Sequence, residues 1–273
     1  MRNEQVRTCF NLSASATYYI AMKSKTEAII ISSMNLGEAD KLVTFFSVDR
    51  GIQKGVAKNA RKSFRRFGAG LEAFTTCRLQ LYEREHQELV RIESIDIINQ
   101  PAAICRDLNR TAAGSVMLEL VKELAPPGEC NTAAFYLLEQ VIELLNAGDD
   151  PVFLLRIFEI RLLSVLGYQP KLDHCLSCGK QPKWNVIFHS MKGGVLCREC
   201  MISSEEPMLI ISQGAVGFYY QALRMDLDKI SRLKPSAGIM RELSQVFSAH
   251  IIHILGKKLK SAEFLRSVCT LEM

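Results

Sequence analysis

The chain has 273 residues, of which 48% are hydrophobic and 23% are charged, and its formal net charge is +5. These values are typical of an ordinary globular protein with one to three domains and ample core. No apolar run is long enough to span a bilayer, and residues 1–21 lack the continuous apolar segment of a signal peptide. We therefore expect a cytoplasmic protein with no membrane partner, in which the nine cysteines do not form a disulfide framework.

Residues 22–100 show the pattern of a small β-barrel. Met22, followed by Lys23-Ser24-Lys25, offers a second start of translation, so residues 1–21 are expected to be a loose extension or an artefact of the assigned start site. Segments rich in β-branched and aromatic residues then predict five strands, over Glu27–Ser32, Lys41–Val48, Ile52–Ala57, Ala73–Tyr82 and Leu89–Ile98. Five such strands favour an OB-fold, the barrel that binds oligonucleotides, with an SH3-like barrel or an open sheet as alternatives.

The fifth predicted strand does not alternate regularly. Val90 and Ile92 share one face of the strand, whereas Ile95 and Ile97 share the other. A β-bulge between the two pairs is expected to return both Ile95 and Ile97 to the core.

The segment 50–71, which spans the third strand and the loop to the fourth, contains seven basic residues and no acidic one. Lys and Arg neutralise phosphates and release counterions, and aromatic rings offer faces on which unstacked bases lie. The alternatives are a solvated charged loop, and rings that anchor this loop to the barrel. The predicted DNA-binding residues are Lys54, Lys58, Arg61, Lys62, Phe64, Arg65, Arg66 and Phe67.

Residues 101–170 and 209–273 show helical periodicity and are expected to form two parts of one helical bundle. The first helix is expected to carry its apolar residues from Ile104 to Leu124, with Pro126-Pro127 as its stop signal. The further start signals are Asn131 or Thr132, Asp150 with Pro151, Ser212, and Pro235 with Ser236; the stop signals are Gly148 and Gly167. Past the last helix lie Lys257, Lys258 and Lys260, cations that favour a helix C-terminus or, alternatively, form a second nucleic-acid patch.

Residues 171–208 interrupt the helices with two C-x2-C turns that are separated by 18 residues. This spacing is typical of a tetrahedral zinc site, since two thiolates three residues apart in one turn can bind the same ion and a second such turn completes the four ligands. The alternative is a pair of redox-active or metal-free turns. Four cysteines close the coordination sphere, so we expect one structural zinc per chain, on a hairpin with a strand at Trp184–Phe188. The predicted ligands are Cys175, Cys178, Cys197 and Cys200, with His174 and His189 as bystanders.

With these pieces in order, the chain resembles the DNA repair protein RecO family of bacterial recombination mediators. The matching motifs are Gly37-Glu38-Ala39-Asp40-Lys41-Leu42 before Phe45-Phe46-Ser47; Gly51 with Lys54-Gly55-Val56-Ala57-Lys58; Arg66-Phe67-Gly68 through Leu71-Glu72-Ala73-Phe74; Leu166-Gly167-Tyr168-Gln169-Pro170 before Cys175; and Leu255-Gly256-Lys257-Lys258-Leu259-Lys260-Ser261.

The resemblance implies an OB-fold, a helical domain and, in many members, a four-cysteine zinc site. It also implies binding of single- and double-stranded DNA, annealing of complementary strands, and partnership with RecR. Contact with the single-stranded DNA-binding protein, and through it loading of RecA at the nucleoid, are implied as well. No motif assigns the residues that bind these protein partners.

The predicted fold class is thus α+β: an N-terminal five-stranded OB-fold barrel followed by a helical bundle with an inserted four-cysteine zinc hairpin. Members of the family are not enzymes, and the sequence contains no Walker loop, no dinucleotide fingerprint and no G-x-S-x-G. A zinc deaminase needs H-x-E ahead of P-C-x-x-C, and this is absent. We therefore expect that the protein is not an enzyme and has no small-molecule substrate. The alternative to a DNA-binding mediator is a zinc-stabilised protein-interaction adaptor with no direct DNA role.

Overall fold

The computed structural model describes residues 21–84, 89–182, 185–201 and 209–269. In these ranges a five-stranded barrel precedes a set of helices, and a small three-stranded sheet is inserted between the fifth and sixth helices. This confirms the predicted α+β fold class. The expected loose extension lies outside the described residues except for Ala21, with which the first strand begins.

The barrel closes through the strand order β1-β2-β3-β5-β4, with β4 pairing back onto β1. All pairs are antiparallel except β3 with β5, which run parallel over three residues. A closed five-stranded barrel with this order is the architecture expected of an OB-fold. The strands are β1 Ala21–Leu36, β2 Asp40–Ser47, β3 Gly51–Ala57, β4 Thr76–Arg84 and β5 Val90–Asn99.

A bulge in β5 lies at the expected place but returns only one isoleucine to the core. Gln80 pairs with Ser94 and Leu81 pairs with Ile92, so Glu93 is the additional residue. Beyond it Ile95 is 9% exposed and joins the barrel core, whereas Ile97 is 46% exposed. The prediction is therefore right for Ile95 and wrong for Ile97. Ile97 keeps the register of Ile95 and pairs with Cys77, but Ile98 on the opposite face is 50% exposed as well, because this end of β5 extends past the core.

The helices follow the predicted caps closely. Asn131, Asp150, Ser212 and Ser236 each accept a hydrogen bond from the backbone N–H three residues later. The helices are α1 Phe64–Phe67, α2 Ala102–Cys105, α3 Leu108–Leu124, α4 Thr132–Ala147, α5 Pro151–Val165, α6 Gln213–Arg224, a 3₁₀ helix Leu227–Arg232, α7 Ala237–Leu255 and α8 Lys260–Cys269.

Two helical features differ from the sequence prediction. The single helix expected from Ile104 to Leu124 is split, because the Asp107 side chain accepts from Arg110 N at 3.0 Å and begins α3. Helix α8 was not predicted, since its capping side chain comes from α3. Glu119 accepts from the backbone N–H groups of Lys260 and Ser261 at 3.2 and 2.8 Å.

The small sheet has the order β7-β6-β8 and packs against the helices. Phe188 of β6 lies edge-on to His250 of α7 at 5.7 Å between ring centroids, and His250 Nε2 bonds the Tyr168 carbonyl at 2.8 Å. The predicted hairpin strand corresponds to β6, and Trp184 lies outside the described residues. The strands are β6 Val186–His189, β7 Gly194–Leu196 and β8 Leu209–Ile211.

The barrel wall takes part in two separate cores. Its inward side chains, including Ile30, Phe45 and Leu79, form the barrel interior. Outward residues near one end, including Ile29 and Phe46, join the helical core instead. Among the described residues, the helices therefore cover one part of the barrel wall.

Candidate nucleic-acid interface and metal centre

The basic loop, residues 58–67, is fastened to the turn between β1 and β2. Asn59 N donates to Asp40 Oδ1 at 2.8 Å, and Arg61 N donates to the Ala39 carbonyl at 3.0 Å. The Arg61 side chain donates to the Glu38 carbonyl at 2.8 Å. Residues 37–42 carry one of the motifs that indicated the family, and the structure shows why this motif matters to the loop. The charge pattern alone did not single out Glu38 and Asp40.

Phe67 belongs to the barrel core. It is 2% exposed and packs in the interior cluster together with Leu71. A ring this deeply buried offers no face to a base, so the predicted stacking role is corrected to the alternative, an anchor of the loop. Phe64 begins the short helix α1, and the position of its side chain lies outside what the structure describes.

The Arg66 side chain forms hydrogen bonds within the basic loop. Its Nη2 donates to the Lys58 carbonyl at 2.7 Å, and its Nε donates to Ser63 Oγ at 3.0 Å. The guanidinium also lies 4.8 Å from the centroid of the Phe67 ring. Arg66 therefore stabilises the loop conformation, and its charge is only partly available to a ligand.

Four other predicted contacts remain exposed cations: Lys54, Lys58, Lys62 and Arg65. Within the described ranges no carboxylate lies within 4.0 Å of their charged atoms. Arg50 at the start of the segment differs, because it pairs with Glu83 and lies 3.7 Å from Asp49. The structure thus leaves positive charge available along β3 and the basic loop.

The four predicted metal ligands lie together. The Sγ atoms of Cys175, Cys178, Cys197 and Cys200 are all within 4.8 Å of one another. Sulfurs bound at about 2.3 Å around one tetrahedral ion lie roughly 3.8 Å apart, and Cys178 Sγ lies 3.8 Å from Cys197 Sγ. The donor set therefore fits a closed tetrahedral metal site.

Each pair of cysteines belongs to a tight turn. Gly179 N donates to the Cys175 carbonyl at 2.9 Å, with Gly179 in the left-handed region at φ +69°. Cys200 N donates to the Cys197 carbonyl at 3.1 Å. Each turn places its own two thiols near the other pair, as the C-x2-C spacing predicts. His174 is not part of the cluster, and its Nδ1 atom lies 2.9 Å from Asp173 Oδ2.

The electrostatics of the cluster favour a cation. Burial would raise the pKa of the Cys175 thiol, but hydrogen bonds from the backbone N–H groups of Cys178, Cys197 and Ser177 lower it to about 6. The pKa of Cys200 is raised to about 12, chiefly by the neighbouring thiols of Cys197 and Cys178. Four thiolates can share this space only when a positive ion compensates their charges.

The lysines that follow α7 lie outside both sites. Lys257 lies past the end of α7 and pairs with Glu123 Oε2 at 2.6 Å, while Lys260 begins α8.

No helix in the described ranges is both long and apolar enough to cross a membrane.

Comparisons with known proteins match both parts of the chain. The family model described as "Recombination protein O N terminal" matches residues 22–101, and "Recombination protein O C terminal" matches residues 105–263. The chain belongs to the recombination protein O family. This membership places it among proteins of DNA repair and recombination, as the resemblance implied.

Relatives named DNA repair protein RecO align with most of this family member. The protein from Syntrophus aciditrophicus is 32% identical over 247 residues, which cover 89% of this chain and 95% of the relative. That from Desulforamulus reducens is 33% identical over 242 residues, covering 88% and 93%. That from Koribacter versatilis is 37% identical over 177 residues, covering 64% and 72%.

Proposed function

We propose that this chain is a recombination mediator that binds single- and double-stranded DNA and anneals complementary strands at the nucleoid. The observation that carries the proposal is the group of exposed cations on β3 and the basic loop, Lys54, Lys58, Lys62 and Arg65. Lys and Arg neutralise phosphates and release counterions, which draws two polyanions together. A protein that holds backbones leaves the base edges available for pairing.

The protein partners in this proposal are RecR and the single-stranded DNA-binding protein. By contacting both, the chain would help to load RecA onto covered strands. Family membership supports this part, and we assign no residue to it. It is tested by following RecA filament assembly on strands covered by the single-stranded DNA-binding protein, with and without this chain and RecR. Equal assembly rates in both samples would contradict it.

We propose zinc as the ion of the four-cysteine cluster, one per chain. Cys175, Cys178, Cys197 and Cys200 would hold it through four thiolates, which suits a borderline-soft ion that prefers tetrahedral sulfur ligands. A bound zinc supplies charge compensation and a cross-link between the two turns. Because four protein ligands leave no open position for water or substrate, we propose a structural role and no enzymatic activity.

A titration of labelled single strands at two salt concentrations tests the DNA-binding proposal. Binding through phosphates should weaken steeply as salt rises, with a slope of about −0.7 per phosphate contact on single strands. The competing function is a zinc-stabilised adaptor with no DNA role. Absence of oligonucleotide binding at low salt would favour the adaptor.

Annealing is tested separately with complementary oligonucleotides that carry a fluorophore and a quencher. The sequence has no nucleotide-binding motif, so the chain should accelerate annealing without ATP. The acceleration should fall as salt rises, because it depends on charge neutralisation. Annealing at the protein-free rate in low salt would contradict the mediator mechanism even if the chain binds DNA.

A further inference from the structure

The thiols of the four-cysteine cluster differ in their access to solvent. Cys175 is only 2% exposed, and Cys197 and Cys200 are half-buried. Cys178, in contrast, is exposed. Oxidants act on cysteines that combine thiolate character with exposure, and a thiol that coordinates a metal is deprotonated. Cys178 is therefore the residue of the cluster that a dissolved oxidant reaches first.

A second thiol lies next to Cys178 and belongs to the other turn. Cys178 Sγ and Cys197 Sγ are 3.8 Å apart, whereas the two sulfurs of a disulfide lie about 2.05 Å apart. Cys175 is less suited to the same role, because it is buried and its Sγ accepts the Cys197 N–H at 3.3 Å. Cys197 is thus the thiol placed to react with an oxidised Cys178.

Backbone contacts keep the two turns side by side without the help of any thiol. Leu176 N in the first turn donates to the Val195 carbonyl at 2.9 Å, and Val195 N donates to the Lys171 carbonyl at 3.0 Å. Val195 lies in β7, which leads directly into Cys197 and the second turn. A Cβ atom on Gly194 would lie 2.8 Å from Leu176 Cδ1, so glycine permits this close approach. The frame therefore holds the turns adjacent even when the metal is lost.

We infer that Cys178 and Cys197 form a peroxide-responsive thiol–disulfide switch within the metal site. The Cys178 sulfur attacks one oxygen of hydrogen peroxide, the O–O bond breaks, and a sulfenic acid and a first water form. The Cys197 sulfur then attacks the sulfenic sulfur, the S–S bond forms, and a second water leaves. Two thiolates are oxidised, one peroxide is reduced to two waters, and two protons come from the solvent.

The disulfide removes two of the four ligands from the metal site. Cys175 and Cys200 remain, and two thiolates do not fill a tetrahedral zinc site, so the ion is released. A thiol reductant reverses a disulfide by thiol–disulfide exchange, after which the four thiolates can bind zinc again. This inference rests on the proposed zinc and adds a chemical response to its structural role.

The test treats the zinc-loaded native chain with hydrogen peroxide. A chelating dye measures the released zinc, and peptide mapping without reduction locates the disulfide. About one zinc per chain should be released as the Cys178–Cys197 link forms, and dithiothreitol with added zinc should restore the bound metal. A Cys105→Ser and Cys130→Ser double variant is the matched control, since it removes two exposed cysteines outside the cluster. It should release zinc like the native chain.

Cys178→His separates oxidation from metal binding. An imidazole replaces one thiolate in zinc sites with three cysteines and one histidine, so this variant should keep its zinc. It has no sulfur at this position, and peroxide should release its zinc at least about tenfold more slowly. If the variant does not bind zinc, the peptide map of the native chain decides, and a Cys178–Cys197 link that forms as zinc leaves supports the switch.

The outcomes separate this inference from the zinc proposal. A native chain that contains no zinc overturns both. If zinc is present, the inference alone is overturned when peroxide leaves the zinc bound, or when Cys178→His releases it at the native rate. Disulfides formed only within each C-x2-C turn overturn it as well. The same holds for sulfinic or sulfonic acids, which dithiothreitol does not reduce.

Discussion

The Phe74 ring fills the space that Gly114 leaves open on helix α3. A Cβ atom on Gly114 would lie 2.7 Å from Phe74 Cε1. Phe74 adopts a positive φ of 70°, which is costly for an aromatic residue, and its N–H donates to the Ile30 carbonyl at 2.9 Å. The strained backbone thus turns the ring out of the barrel and into the helical core, where it fastens the two units together.

Gly114→Ala should therefore destabilise the chain. The added methyl group collides with a buried ring, and overpacking of this kind costs about 1–3 kcal/mol. Urea unfolding at equilibrium measures the change. The matched control is Gly217→Ala in α6, where nothing lies within 4 Å of the new Cβ. This control should gain up to about 1 kcal/mol from helix propensity. Equal effects of the two substitutions would contradict the interlock between Phe74 and Gly114.

Neutralising the exposed cations of the basic loop should flatten the salt dependence of DNA binding. Lys62→Gln and Arg65→Gln should each lower the magnitude of the log–log slope by roughly 0.7 on single strands, one phosphate contact apiece. Fluorescence anisotropy over a range of salt concentrations measures the slope. Lys229→Gln serves as the control, because Lys229 pairs with Asp226 in the helical part. A slope equal to that of the native chain would exclude the loop as a phosphate site.

Cys197→Ser should abolish metal binding and loosen the small sheet. Elemental analysis should fall from about one zinc per native chain to almost none, because a hydroxyl is a poor replacement for a thiolate ligand. The loss of stability should extend to the helices, since Val195 and Phe188 of the small sheet belong to the helical core. DNA affinity should change little. Cys105→Ser, at an exposed cysteine outside the cluster, should leave the metal content intact. A metal-free native protein would refute the zinc assignment.

His250 should make the chain less stable in mild acid. Burial lowers its pKa from 6.5, with hydrogen bonding to Tyr168 opposing this shift and the charge of His253 adding to it. The unfolded chain therefore binds the proton more readily, so stability is lost as the pH falls through 6.5 toward the lower folded pKa.

Urea unfolding between about pH 7.5 and pH 5, a window that brackets the ordinary histidine pKa, tests this linkage. His250→Gln should flatten the pH dependence, whatever its effect on stability at neutral pH. His253→Gln, at an exposed position on the same helix, should keep most of it. If both variants retain the full pH dependence, other groups cause the acid sensitivity.

Local signals explain why much of the fold could be predicted. The caps at Asn131, Asp150, Ser212 and Ser236 act on N–H groups three residues away, so the chain alone reveals them. The cap of α8 escaped prediction, because Glu119 is supplied by a helix that lies some 140 residues earlier in the chain.

The sequence by itself determined the elements whose causes are local: five strands, the capped helices, a loop rich in basic residues, and two C-x2-C turns. The tertiary structure decided which side chains of those elements are available to a ligand. Barrel closure buries Phe67, loop folding occupies Arg66, and the bonds between the first cysteine turn and β7 hold Cys178 Sγ 3.8 Å from Cys197 Sγ. The physical reason is that a capping bond or a turn depends on neighbours in the chain, whereas exposure and proximity depend on pairing between segments that are distant in sequence.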